Sequence, residues 1–74
     1  MDMRADRVEV SWDLEKSQWL VRIVSGEEVV RRHLKLSSST DEAELRAAAQ
    51  QTATDEGYEA DPSIISIQRA QAAS

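Results

Sequence analysis

The stretch "RVEVSWDLEKSQWLVRIV", Arg7 to Val24, decides the fold. Over residues 7–14, Val8, Val10, Trp12 and Leu14 point one way and Arg7, Glu9, Ser11 and Asp13 the other, which is the alternation of a half-buried strand. Glu15 to Gln18 then interrupt the pattern, so a tight turn centred on Lys16 and Ser17 is expected to bring "WLVRIV" back antiparallel. That hairpin would set Leu14 opposite Trp19, Trp12 opposite Val21 and Val10 opposite Ile23, apolar against apolar throughout.

Working outward, Ser25-Gly26 supplies the next turn, because glycine takes positive φ at little cost. "VVRRHLKL", Val29 to Leu36, follows as a third strand with Val30, Leu34 and Leu36 on the core parity. The period then changes. Ser39 followed by Glu42 has the spacing of a capping box, and Asp41, Glu42 and Glu44 suit the positive end of a helix dipole. Leu45, Ala48, Ala49, Thr52 and Ala53 recur at helical spacing, and Gly57 is the expected stop. Alanines on that face let the helix lie close to a sheet whose bulk comes from Trp12 and Trp19. Pro62 closes a connector, and "SIISI", residues 63–67, reads as a fourth strand.

The expectation is therefore one α+β domain of order β-β-β-α-β over residues 7–68. Residues 1–6 are expected to be a disordered or frayed N-terminus and residues 69–74 a frayed tail. A right-handed crossover places strand four beside and parallel to strand one, giving a single layer in the order 3-2-1-4 with the helix on one face. This order resembles that of HicB-type antitoxin domains, small acidic modules that bind a basic partner. The resemblance lies in topology, carries no residue motif, and implies a non-catalytic binding role.

Composition narrows the function classes. With no cysteine and one histidine, the 74-residue chain has neither a disulfide framework nor the ligands of a thiolate or imidazole-rich metal site, and no cofactor or metal is expected. The longest apolar run is three residues, and the start of the chain lacks the apolar stretch of a signal peptide, so a cytoplasmic protein with no membrane association is expected. A net charge of −5 argues against a polyanion as the dominant partner.

Against that acidic background, Arg31, Arg32, His33 and Lys35 fall within five residues. On an edge strand such cations commonly block sheet-to-sheet aggregation. By parity Arg31, His33 and Lys35 share the outer sheet face with Arg22, whereas Arg32 falls on the core side and must snorkel at the margin. Leu20, Val24 and Val29 interrupt what should be polar positions of that same face. The alternatives are incidental exposure, as isolated surface hydrophobes commonly show, and an apolar cluster serving as a partner surface or homodimer face; the second is the expectation. In a dimer, Arg22 and Arg31 would pair with Glu9 or Asp13 across the two-fold axis. Trp12 and Trp19 have the core parity, which leaves the outer face without the aromatics on which nucleic-acid bases stack.

Catalysis has little to build on. His33 has no nucleophile at a diagnostic spacing, and the pairs Glu27/Glu28, Asp41/Glu42 and Asp55/Glu56 sit at a turn and at the two helix ends. Asp55 and Glu56 are moreover poorly placed for the helix dipole, with no visible compensation. The leading expectation is a small non-catalytic protein-binding or regulatory module whose contact residues are Leu20, Arg22, Val24, Val29, Arg31, His33 and Lys35. The alternatives are a nucleic-acid binder using residues 31–35 and a homodimeric structural domain. No small-molecule substrate is evident.

Overall fold

The structure, a computed structural model, describes residues 3–68; the C-terminal tail expected at residues 69–74 lies outside them. The described residues form a small α+β fold with one α-helix and two sheets. Strands β1 (Met3–Arg4), β2 (Arg7–Asp13), β3 (Gln18–Ser25) and β4 (Glu28–Leu34) precede helix α1 (Glu42–Asp55). After it come β5 (Tyr58–Glu59), a 3-10 turn (Pro62–Ile64) and β6 (Ile65–Gln68). The main sheet runs β4-β3-β2-β6, antiparallel except for the parallel β2–β6 pair.

Val8, Val10, Trp19, Val21 and Ile23 are sealed on the inner face of this sheet under Leu45, Ala49 and Ala53 of the helix. The helix rests mainly on β2, β3, β5 and β6. Val30 and Leu34, the inner-face residues of β4, are consequently only half-buried. Arg46 ties the helix to the far side of the sheet, donating to the carbonyls of Pro62 at 3.1 Å and Ile65 at 2.7 Å. Thr52, the buried polar residue of the helix, satisfies its hydroxyl on the Ala48 carbonyl at 2.8 Å. No helix among the described residues is long and apolar enough to cross a membrane.

Four expectations are corrected. The first hairpin is paired two residues away from the expected register: Trp12 faces Trp19, Val10 faces Val21 and Val8 faces Ile23. Its loop is wider because Asp13 ends the strand, accepting on Oδ1 from the amides of Glu15 at 3.0 Å and Lys16 at 3.3 Å, while Ser17 adopts φ 53°. Leu14 therefore lies in the loop, 73% exposed, instead of in the core. A shift of two preserves every side-chain face, and Trp12 and Trp19 meet edge to face with centroids 5.2 Å apart.

The expected capping box does not form. Asp41, not Ser39, is the N-cap and makes no side-chain cap bond, and the Ser39 hydroxyl instead meets Ser37 Oγ at 2.8 Å. The fourth strand starts later, at Ile65, because Asp61 accepts from the Ser63 amide at 2.9 Å and opens a 3-10 turn at Pro62.

Finally, the described residues form two sheets instead of a single layer, and Met3 and Arg4, within the expected frayed N-terminus, are a strand of the second. Met3–Arg4 pairs in parallel with Tyr58–Glu59, and Ala5 is buried with its amide on the Glu59 carbonyl at 2.9 Å. Asp6 then joins this ribbon to the main sheet: its amide donates to the Val24 carbonyl at 2.7 Å, and its Oδ2 accepts from the Gly26 amide at 2.7 Å. Gly26 has φ 60° at the first position of its two-residue turn, a conformation that glycine adopts cheaply.

Candidate interaction surface

The face of the sheet opposite α1 carries three cross-strand rows, set by the pairing of β4, β3 and β2. Val29 lies beside Val24 and then Arg7; Arg31 beside Arg22 and then Glu9; His33 beside Leu20 and then Ser11. All seven residues of the expected site are thus on or next to one surface, with Lys35 just beyond the last residue of β4. Leu20, Arg22 and Val24 are half-buried, and Val29, Arg31, His33 and Lys35 are exposed.

The apolar cluster is divided. Val24 and Val29 are directly paired, but Leu20 is four residues from Val24 along β3, or roughly 13 Å at the ordinary rise of a strand. The Arg22–Arg31 row lies between them. The sequence already sets Arg22 between Leu20 and Val24; the register adds that Arg31 lies beside it and completes the dividing row.

The charges are arranged unevenly. Glu9 is held between two cations, with Arg7 Nε at 3.3 Å and Arg22 Nη1 at 3.5 Å. Asp13 Oδ2 lies 3.2 Å from His33 Nε2, and this hydrogen bond, helped by the Glu15 and Lys16 amides, holds the carboxyl below its ordinary value. Both carboxylates expected to serve a two-fold axis are thus engaged within the chain. Among the described residues Arg31 and Lys35 have no carboxylate at ion-pair distance, and Arg31 stands directly opposite Arg22. Like charges facing one another across a ladder are destabilising, and with Glu9 already on Arg22, Arg31 is the member of this row at which an outside anion is most welcome.

Arg32 behaves differently, as its parity requires. It leaves the inner face at the sheet margin and pairs with Glu56 at the helix end. That contact supplies the compensation for the misplaced helix-terminal acid. Nearby, buried Tyr58 donates its hydroxyl to Glu28 Oε1 at 3.0 Å, which raises the phenol above its ordinary value.

Elsewhere, a cleft of about 460 Å³ opens beside the small sheet, lined by Arg4, Gln50, Thr54, Glu59, Asp61 and Ile64 among others. Its polar groups already serve the fold: Gln50 donates to the Ala60 carbonyl at 3.0 Å, Asp61 accepts from Ser63, and Arg4 pairs with Glu59 at 3.5 Å. No group of three or more His, Asp or Glu side chains among the described residues is placed to hold a metal ion. Comparisons with protein-family models, curated proteins and solved structures return no match, so the surface is interpreted from its own geometry.

Proposed function

We propose that this chain is a small non-catalytic binding module whose partner is another protein, engaged on the sheet face that α1 leaves uncovered. The observation that carries the reading is the Arg22–Arg31 row. A chain of net charge −5 presents two opposed cations on an open face, with Val24 and Val29 on one side and Leu20 on the other. Alternating apolar and charged rows suit a protein surface, where apolar contacts contribute affinity and charges set register and partner choice.

Two other readings are less well supported. A nucleic-acid partner would need stacking platforms, and both tryptophans and Tyr58 belong to the interior side. A two-fold dimer through this face would bring cationic rows together while Glu9 and Asp13 are already paired.

The test is affinity capture on the immobilised chain, comparing wild type with Leu20→Asp and Val29→Asp. Circular dichroism establishes that each variant is folded. Proteins retained by wild type and lost by both variants are the expected result; undiminished retention by folded variants overturns the reading.

A further inference from the structure

Strand β4 closes one side of the main sheet, and the direction of its free main-chain groups follows from the bonds around it. The Val24 carbonyl accepts from Asp6 on the β2 side, so Val24 and Val29 form a non-hydrogen-bonded pair of the β3–β4 ladder. Alternation extends this to Arg22–Arg31 and Leu20–His33. The N–H and C=O groups of Val29, Arg31 and His33 therefore face outward along an open seven-residue edge. We infer that this edge accepts an extended acidic segment of a partner protein as an added strand. The inference deepens the proposed function and rests on it in taking the partner to be a protein.

The two faces of β4 define the segment. On the outer side, Arg31, His33 and Lys35 share one parity, and Arg31 and Lys35 lack carboxylate partners among the described residues. On the inner side, Val30 and Leu34 are half-buried beyond the main cover of the helix, while Arg32 is already neutralised by Glu56. An added strand with carboxylates at alternate positions and apolar residues between them meets both faces at once, with main-chain bonds to the outward groups. A second copy of β4 fits badly. Antiparallel pairing about Arg31 would set that cation against its own copy, a like-charge pair across the ladder. The cations that discourage self-association thus select for an acidic strand.

The experiment uses the full chain and a synthetic peptide of alternating glutamate and valine, followed by amide hydrogen exchange. The expected result is saturable binding that slows exchange at Val29, Arg31 and His33, the amides that face out. Arg31→Glu should weaken binding about tenfold or more, equivalent to about 1.4 kcal/mol. N-methylation of the peptide amides that would bond to β4 should abolish it. The proposal is overturned by absence of saturable binding, by binding that leaves those three amides unprotected, by equal binding of the N-methylated peptide or of a lysine–valine peptide, or by preference for a single-stranded oligonucleotide.

Ser11→Gln separates this inference from the face reading, since Ser11 lies on the outer face of β2, two strands from the β4 edge, and the change adds bulk there without charge. Peptide binding within about threefold of wild type in that variant supports the edge site regardless of whether the face captures a partner, whereas its loss overturns the edge assignment.

Discussion

Arg32 and Glu56 each break the rule of the element they belong to. Arg32 puts a cation on the apolar parity of β4, and Glu56 puts an anion at the negative end of α1; their ion pair offsets both faults. The pair is partly exposed, so a double-mutant cycle of Arg32→Ala and Glu56→Ala in urea should give a coupling of about 0.5 kcal/mol. Parity along the chain identifies Arg32 as anomalous. Its partner is not legible there, because the contact joins residues 24 positions apart through the packing of a helix against a sheet edge. Trp19 shows the same division. Its burial follows from alternation, but the hydrogen bond from Nε1 to the Ser37 carbonyl at 2.8 Å depends on where the β4–α1 connection passes. Trp19→Ala should cost about 3–5 kcal/mol and leave so small a domain largely unfolded by circular dichroism. Trp19→Phe keeps most of the packing and should cost about 1–2 kcal/mol, in part because that bond to the carbonyl is lost.

At the scale of elements, alternation fixes which face a residue occupies but not how far a hairpin slides. A two-residue slip keeps Val8, Val10 and Trp12 inside, so the pattern is silent on it, and turn chemistry at Asp13 decides. The two-residue strands β1 and β5 are too short to carry any periodicity, and their pairing is a consequence of the folded core. Asp13 joins turn and edge, holding the β2–β3 loop with one oxygen and His33 of β4 with the other. Its folded pKa lies below the ordinary carboxyl value of 3.8, and that of Asp61 is lowered too, chiefly by bonds from Ser63 and less by Arg4. These groups add stability above that value, and the contribution disappears as pH falls through the lower folded values. The urea midpoint should therefore fall in acid, and less steeply in Asp13→Asn. Tyr58 acts at the other limit. Its folded pKa is raised above 10.0 by the bond to Glu28, so the stability it adds is complete below the unfolded value and lost as pH rises through the folded one. Tyr58→Phe should remove its share of the alkaline loss in the same measurement.

Across the whole molecule, the acids around the helix and the cations of the uncovered face occupy different places, and the acids on that face, Glu9 and Asp13, are already paired. Asp41, Glu42, Glu44, Asp55, Glu59 and Asp61 surround the helix and its connections, whereas Arg22, Arg31 and Lys35 gather at the uncovered face and edge. Linear composition conceals this separation, because the net charge of −5 averages over surfaces that face opposite ways. It bears directly on assembly. Pairing by the outer face or by the β4 edge sets cation against cation, and the carboxylates that could relieve either arrangement are already engaged by Arg7, Arg22 and His33. Light scattering should accordingly give the monomer mass of 8.3 kDa across protein concentrations at low salt. If like-charge repulsion is what opposes association, raising the salt screens it, and any dimer should increase with ionic strength. Binding of an acidic partner strand should have the opposite dependence, weakening as salt screens its attraction to Arg31 and Lys35. A dimer at low salt that dissociates as salt rises would instead mean that the acidic side of one copy meets the cationic face of another, and the occupant of that face would then be the protein itself.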